Sequence, residues 1–483
     1  MNKIYFSKKK PQDECAVFGV FNNNDASTLT TLGLHALQHR GQDSTGIVSY
    51  KNNNFFAHRG IGQVGDVFQD PNILNELKGS AAIGHNRYGT TGESALKNVQ
   101  PLFSEILTGG IAIAHNGNLT NTSKLKEKLI SNGSIFQSTS DTEVILHLIS
   151  TSKGDLHDRI IYALNSIHGA YSLLILSHNS LIGIRDPFGI RPMVLGKLNE
   201  SYILSSESCG LDIIGAELIR DVEAGEMIVI DNDGIKSYRP FKKSELRPCL
   251  FEYIYFSRPD SILLGKSVYN CRKSFGATLA KESYVEADVV TPVPDSGVPA
   301  AIGFAEHANI PFEMGIIRNH YVGRTFIEPT QLGRQLGVKR KHNPNKAHVT
   351  GKRVVLIDDS IVRGTTSVKI VQMMREAGAT EVHMRIACPP ITHPDFYGID
   401  TPTQDQLLAA THSMEEMKEY IGADSLAFLS IDGMYRAMGY EEGRNNDLPQ
   451  FTDHCFTGDY PTALTDREGD EDFRQLSLLQ EQG

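Results

Sequence analysis

Two patterns of hydrophobic and polar residues divide this 483-residue chain. Between residues 15 and 248, short runs rich in Val, Ile, Tyr and Phe are bounded by Gly and Asn, as in AVFGVF, YSLLIL and EMIVI. Runs of this kind predict strands of mostly antiparallel sheets. Helical spacing is less frequent and is clearest at 30–38 and 142–152. The first half is therefore predicted to be an α+β domain, a sandwich of antiparallel sheets with helices.

The pattern changes at about residue 249. Strand-like runs (ADVVTPVP, KRVVLIDD, EVHMRIAC) now alternate with helical patterns, which predicts an α/β domain with a parallel sheet. We place the boundary in the polar segment 242–248, so that the second domain covers 249–464. The remaining residues, 465–483, are polar and have little to bury, and they are predicted to form a surface tail.

Composition narrows the class of protein. The net charge of −10 suggests no dominant basic face, so nucleic acid is not predicted as a partner. No apolar stretch approaches 18 residues, and the first residues lack the apolar core of a secretory signal. Six scattered cysteines fit a reducing compartment. These features predict a cytoplasmic protein with no membrane partner.

The segment 354–367, VVLIDDSIVRGTTS, carries the clearest chemistry. Asp358 and Asp359 end a buried strand, and open α/β sheets bind ligands at that end of their strands. The Gly/Thr-rich loop that follows offers backbone N–H groups and hydroxyls to an anion. The block resembles the phosphoribosyl pyrophosphate (PRPP) signature of type I phosphoribosyltransferases. The resemblance adds these loop residues to the PRPP site: Arg363, Gly364, Thr365 and Thr366.

A second strand-to-loop unit lies at 289–300, VVTPVPDSGVPA. From Asp295-Ser296-Gly297 alone, a simple β-turn is as good a reading as a phosphate loop. In the resembling family this is the pyrophosphate loop, with backbone N–H groups exposed to the ligand. The resemblance further implies that Ser296 joins Asp358 and Asp359 at one Mg²⁺ per subunit, a hard cation that prefers oxygen ligands.

Residues 319–341 form a basic cluster in an acidic protein. A cluster of this kind is usually a solvated surface. Here YVGRTFIEPTQ resembles the loop that closes over PRPP in phosphoribosyltransferases that also carry an amidotransferase domain. Closure would exclude water from a reactive sugar centre. Tyr321 and Arg324 are the predicted contacts of this lid.

The first half contains an ordered set of polar motifs. Cys15 leads a strand-like run, and HRGQ (39–42), GHNRYGT (84–90), AHNGNL (114–119) and SDTE (140–143) follow. By itself Cys15 reads as a small buried residue. Together the motifs resemble the class II glutamine amidotransferase domain, an N-terminal-nucleophile hydrolase, from Cys15 to about residue 235.

The resemblance assigns roles to matching residues. Cys15 would attack the glutamine amide with its own α-amino group as base, which requires removal of residues 1–14 as a propeptide. Asn116 and the backbone N–H of Gly117 would form the oxyanion hole. Arg87 would bind the α-carboxylate of glutamine and Asp141 its α-ammonium. Taken singly, Arg87 also suits a surface ion pair, Asp141 a helix cap, and Asn-Gly a turn.

Together the two resemblances imply one reaction. Glutamine would be hydrolysed in the first domain, and the ammonia would displace pyrophosphate from PRPP in the second. The product, 5-phosphoribosylamine, opens purine nucleotide synthesis. The resemblance also implies feedback inhibition by AMP or GMP and a homotetramer. Two alternatives are an amidotransferase with a sugar isomerase second half, and a non-catalytic purine sensor. The first should lack the 354–367 block, and the second should have lost Cys15 or the acid pair.

One departure concerns a cofactor. Some members carry a [4Fe–4S] cluster on four cysteines, and the matching positions here are Cys249, Asp395, Thr452 and Cys455. Because only two are cysteines, no [4Fe–4S] cluster is expected. The remaining cysteines lie in apolar surroundings and are predicted to be packing residues: Cys209, Cys271 and Cys388.

Overall fold

The structure is a computed structural model that describes residues 15–88, 95–242, 244–319, 342–399 and 403–467. Within these ranges, no helix combines the length and the apolar character that crossing a membrane requires. Both predicted fold types are confirmed: antiparallel sheets fill the first half, and a parallel sheet lies in the second. The boundary at 242–248 and the tail at 465–483 stay predictions.

The first half contains two antiparallel sheets, and most of its described strands are largely buried. They are β1 (Ala16–Phe21), β2 (Ser44–Lys51), β3 (Asn54–Ile61), β4 (Ala81–Arg87), β5 (Leu102–Ile106), β6 (Gly109–Leu119), β7 (Gly169–Leu176), β8 (Leu181–Arg185), β9 (Val194–Leu198), β10 (Ser201–Ser205), β11 (Glu217–Asp221), β12 (Met227–Asp231) and β13 (Gly234–Tyr238).

The two sheets stack face to face. One has the strand order β11-β9-β10-β1-β4-β2-β3, and the other has the order β13-β12-β8-β7-β6-β5. Val17 and Ile83 of the first sheet share a buried core with Ala112 and Leu174 of the second. Because β1 and β4 lie in the middle of one sheet and β6 in the facing sheet, the ends of these strands can meet at one site.

Helices cover the outer faces of the sandwich, as Leu34 does against Phe18. The helix predicted from residue 30 begins earlier, at Ala26. Its first turn was missed because the buried positions there include Ser27 and Thr30, which are polar; their hydroxyls donate to backbone carbonyls. The helices of this half are α1 (Ala26–Ala36), α2 (Val64–Val67), α3 (Pro71–Glu76), α4 (Thr122–Ser131), α5 (Thr142–Thr151), α6 (Leu156–Leu164) and α7 (Cys209–Asp212), with a 3₁₀ turn at Leu96–Asn98.

The second half is built on a four-stranded parallel sheet with the strand order β16-β19-β20-β21. Its register pairs Val290 with Val355 and Val355 with His383. The strands of this half are β14 (Ile262–Leu263), β15 (Lys266–Ser267), β16 (Val289–Pro292), β17 (Ile316–Arg318), β18 (His342–Pro344), β19 (Arg353–Asp358), β20 (Glu381–Ile386) and β21 (Ser425–Phe428).

Helices flank this sheet, and parallel strands bring all their carboxyl ends to one edge. The acids after β19 and the loop after β16 therefore lie next to each other. The helices are α8 (Val268–Glu282), α9 (Val298–Ala308), α10 (Lys346–Val349), α11 (Thr365–Glu376), α12 (Leu408–Thr411), α13 (Met414–Ile421), α14 (Ile431–Ala437) and α15 (His454–Thr457), with π-helical Glu252–Phe256 and 3₁₀ turns at Gln404–Gln406 and Thr465–Arg467.

Candidate active sites

Strand pairing brings Cys15 to Arg87. Ala16 of β1 pairs with Asn86 of β4 in an antiparallel register, so the residue before Ala16 (Cys15) and the residue after Asn86 (Arg87) are neighbours at the strand ends. The Cys15 thiol donates to the carbonyl oxygen of Tyr88 at 3.9 Å. Burial raises the pKa of the Cys15 thiol, and the opposing influence of the Arg87 charge does not cancel that rise. The thiol therefore needs a base to become a nucleophile, and residues 1–14, which block its α-amine, lie outside the described residues.

Asn116 and Gly117 come from β6 of the facing sheet. The turn that Asn-Gly suits when taken singly is not formed, because both residues lie within the strand. Gly117 does have a positive φ of 141°, and a Cβ there would lie 2.0 Å from the Ala170 carbonyl oxygen. Asn116 is fully buried, and neither its amide nitrogen nor its amide oxygen has a hydrogen-bond partner in the described structure. An amide left unpaired in a buried site is available to an incoming oxyanion.

Asp141 stands at the start of α5 but does not cap it, since no side-chain capping bond is formed. Its carboxylate instead accepts the backbone N–H of Leu119 at 3.1 Å and lies 3.5 Å from His115 Nδ1. Burial raises the pKa of Asp141, but His115 and the N–H of Leu119 outweigh burial and lower it. An ionised carboxylate near Cys15 suits an ammonium group.

A buried ion network behind Cys15 was missed in the sequence. Arg40 Nε donates to the carbonyl oxygen of Cys15 at 3.2 Å, and its other nitrogens bind Glu207 at 2.7 Å and Glu252 at 2.7 Å. Glu252 belongs to the second half of the chain. Only the HRGQ motif marked this region, because the two glutamates are far from Arg40 in sequence.

At the carboxyl edge of the parallel sheet, a cleft open to solvent follows β19. Asp358 and Asp359 are buried there, and the Gly364 φ of 72° lets the loop turn into α11. Tyr255 also lines the cleft and was missed. The structure thus brings together these predicted PRPP residues: Asp358, Asp359, Arg363, Gly364, Thr365 and Thr366.

The loop after β16 reaches the acid pair. Ser296 Oγ donates to Asp359 Oδ1 at 2.5 Å, which unites two of the predicted metal ligands. Asp295 is paired with Arg318. The expectation that all three residues expose their backbone N–H groups is wrong for Gly297, whose N–H is donated to the Val293 carbonyl at 3.1 Å. Gly297 packs closely instead, since a Cβ there would lie 2.5 Å from the Ile357 carbonyl oxygen.

One loop joins the two sites. Ala387, just after β20, donates its N–H to the Asp358 carbonyl at 2.9 Å. Further along, the Phe396 carbonyl accepts from Asn118 at 2.9 Å, and a Cβ on Gly398 would lie 3.2 Å from the carbonyl carbon of Gly117. The loop therefore runs from the acid pair to the glycine beside Asn116. The predicted lid contacts, Tyr321 and Arg324, lie outside the described residues.

The four positions matched to cluster ligands do lie together. Cys249 and Thr452 form a parallel bridge, and Asp395 bonds to His454, which precedes Cys455. With two thiols among the four, the donors do not fit a [4Fe–4S] cluster. The three predicted packing cysteines are all buried, as expected: Cys209, Cys271 and Cys388.

The family comparisons agree with this geometry. The model described as "Glutamine amidotransferase domain" matches residues 85–212, and the model described as "Phosphoribosyl transferase domain" matches residues 276–393. The chain thus combines a glutamine amidotransferase with a phosphoribosyltransferase.

Whole-chain relatives define the family. An amidophosphoribosyltransferase of Rhizobium etli is 59% identical over 98% of this chain and 96% of its own, and one of Bacillus subtilis is 49% identical over 94% and 95%. A solved glutamine PRPP amidotransferase from B. subtilis, complexed with ADP and GMP, has a TM-score of 0.88 and 48% identity over 93% of this chain and 98% of its own. The chain belongs to the amidophosphoribosyltransferase family of enzymes.

Proposed function

We propose that the two sites divide the reaction of this family between them. Cys15 hydrolyses glutamine in the first domain, and the ammonia attacks C1 of PRPP in the second, releasing pyrophosphate and giving 5-phosphoribosylamine. This is the first committed step of de novo purine nucleotide synthesis. The main support for this two-site reaction is the loop from Ala387 to Gly398. It contacts the acid pair at one end and Gly117 at the other.

The glutamine site acts through charge and geometry. Arg87 binds the α-carboxylate and Asp141 the α-ammonium, which holds the side-chain amide near Cys15. Once residues 1–14 have been removed, the thiol proton passes to the α-amine. The thiolate sulfur then bonds to the amide carbon of glutamine, and the carbonyl oxygen becomes an oxyanion. Asn116 and the Gly117 N–H stabilise that oxyanion, and the Asn116 amide, which has no partner among the described residues, supports this assignment.

The PRPP site supplies oxygen donors and an anion cradle. The ribose would meet Asp358 and Asp359, and the phosphate groups would meet the loops at 295–297 and 363–366. Hydroxyl and carboxylate oxygens are the ligand types that Mg²⁺ prefers, so Ser296, Asp358 and Asp359 fit one Mg²⁺ per subunit. When bound, the ion would neutralise charge on the pyrophosphate leaving group. Tyr321 and Arg324 are proposed to close over the site.

Further parts of the proposal concern regulation and assembly. AMP and GMP resemble the phosphoribosyl part of PRPP and are proposed to compete for the same cleft. The solved relative is described with ADP and GMP, which supports nucleotide regulators. The family resemblance supports a homotetramer, and the scattered cysteines support a cytoplasmic location. The match to a phosphoribosyltransferase model over 276–393 weighs against the sugar isomerase alternative.

Two variants test the division of labour. In a chain that starts at Cys15, Cys15→Ser should abolish synthesis from glutamine but retain synthesis from added ammonium. Asp359→Asn should impair both. Asp288→Asn is the control, because Asp288 pairs with Arg353 at the opposite edge of the same sheet and should leave both activities near wild type.

The proposal is wrong if Cys15→Ser loses ammonium-dependent synthesis to the same extent as synthesis from glutamine. A catalytically normal Asp359→Asn variant would also overturn it. Measuring both activities on each folded variant separates these results from a general loss of structure.

A further inference from the structure

Three buried metal-binding side chains converge beside the domain junction. Asp395 lies on the loop after β20, and His454 and Cys455 belong to α15. One donor atom from each lies within 4.8 Å of the other two. His454 Nε2 is 2.7 Å from Asp395 Oδ2 and 3.4 Å from Cys455 Sγ. The imidazole nitrogen thus has a carboxylate oxygen and a thiol sulfur beside it. Together the three atoms form a mixed O, N, S donor set.

The surroundings hold two of these donors in place. Asp395 Oδ1 accepts the backbone N–H groups of Tyr397 at 2.7 Å and Ile399 at 2.8 Å, which turns Oδ2 toward His454. The His454 ring packs edge-on against Tyr397 with centroids 5.0 Å apart. Hydrogen bonds that orient a ligating carboxylate are the usual outer support of a metal site.

We propose that Asp395, His454 and Cys455 bind one divalent cation of the zinc type. Zinc bonds of about 2.0–2.3 Å place tetrahedral nitrogen and sulfur donors about 3.6 Å apart, close to the 3.4 Å between His454 Nε2 and Cys455 Sγ. Nitrogen and oxygen donors would stand about 3.4 Å apart. The present 2.7 Å contact therefore has to open by about 0.7 Å as the hydrogen bond is replaced by two metal bonds.

Proton balance follows from the donors. On metal binding, His454 Nε2 and the Cys455 thiol each release to solvent any proton they carry, and their lone pairs coordinate the ion. Cys249 pairs with Thr452, three residues before Cys455, so its thiol is the neighbouring candidate for a fourth position. Cys249 lies at the start of the second half, and a bound ion would fasten that start to the loop after β20 and to the C-terminal segment.

The test uses the full chain with Co²⁺ and Zn²⁺ as probes and with Mg²⁺ constant in every buffer. Co²⁺ should give the intense absorption of a thiolate-bound tetrahedral ion, with one equivalent bound per chain, and Zn²⁺ should displace it. Metal analysis after gel filtration should find about one zinc per chain. The Cys455→Ser and His454→Asn variants should lose the spectrum, whereas Cys271→Ser, a buried cysteine elsewhere in the domain, should retain it.

The wild-type spectrum keeps the test decisive even if a variant fails to fold. Absence of stoichiometric zinc and of a thiolate–cobalt band in wild type would overturn the proposal and leave a plain Asp395–His454 hydrogen bond. Iron with sulfide in equal amounts would also overturn it in favour of a cluster. A band that survives Cys455→Ser would show that other residues bind the ion. Glutamine-dependent activity is not the readout, so the result is independent of the proposed function.

Discussion

Asn116→Ala should separate catalysis from stability. The Asn116 side chain is fully buried, and both of its polar atoms lack a hydrogen-bond partner in the described structure. Its removal therefore breaks no hydrogen bond that the described residues make in the resting enzyme. If the amide instead bonds to the oxyanion, its loss should lower kcat for glutamine hydrolysis by about 10²–10³-fold, or about 2.7–4 kcal/mol, with a small change in KM.

Asn116→Ala should change the free energy of unfolding only slightly, because two opposing effects act at this buried position. Truncation leaves a cavity, which lowers stability. It also removes a buried polar group without partners, which relieves about 1–3 kcal/mol of desolvation cost. The two effects offset, so we expect the free energy of unfolding to change by no more than about 1 kcal/mol.

A neighbouring asparagine provides the control. Asn86 donates to the Leu34 carbonyl at 2.7 Å and accepts from Thr45 at 2.9 Å. Asn86→Ala leaves buried partners unpaired, so it should lower the melting temperature clearly more than Asn116→Ala. The assays are steady-state glutaminase kinetics, ammonium-dependent synthesis and thermal unfolding. If Asn116→Ala retains wild-type kcat, or loses stability as Asn86→Ala does, Asn116 is a structural residue and the oxyanion assignment fails.

Four further predictions follow from the same sites. Intact mass should show a mature chain that begins at Cys15, and Cys15→Ala should retain residues 1–14; an active enzyme that keeps them rules out the α-amine as base. Arg87→Met should raise KM for glutamine strongly while ammonium-dependent synthesis is unchanged, and an unchanged KM would reassign Arg87 to folding. Burial raises the pKa of Glu207, but His39 and Arg40 together outweigh burial and hold it well below the usual range. Its stabilising effect is therefore full above its unfolded pKa of about 4.5 and is lost as the pH falls, so Glu207→Gln should flatten the acid side of the stability profile; an equally steep profile would refute this. Anaerobically purified protein should be colourless and free of stoichiometric iron and sulfide, and a broad visible absorption would show that other residues complete a cluster.

Local sequence patterns were enough to predict a site residue when it lies at the end of a single strand or helix. Asp358 and Asp359 follow a hydrophobic run, and a strand end in a parallel sheet fixes where they lie. The helix at 142–152 was also visible, because its apolar positions repeat at helical spacing. For these features, the residues that set the structure are adjacent in the chain.

Long-range features could not be predicted in this way. Arg40 and Glu252 are 212 residues apart, and no local pattern pairs them. The role of Asp141 as a cap was the natural local reading, but its carboxylate turns to the backbone of Leu119 on another element. The contact of Gly398 with Gly117 likewise depends on how the two halves pack. The candidate glutamine site was found through an ordered set of motifs rather than through any single one.

Direct transfer of ammonia between the two sites can be tested by following the nitrogen atom. The mature enzyme, which begins at Cys15, is given PRPP, Mg²⁺ and glutamine labelled with ¹⁵N in the side-chain amide, in a buffer that contains unlabelled ammonium. 5-Phosphoribosylamine from wild type should carry ¹⁵N well beyond its share of the mixed ammonia pool. The Cys15→Ser variant should form only unlabelled product. Labelling of the wild-type product that merely matches the free ammonia pool would contradict the direct transfer of ammonia from the Cys15 site to the acid pair.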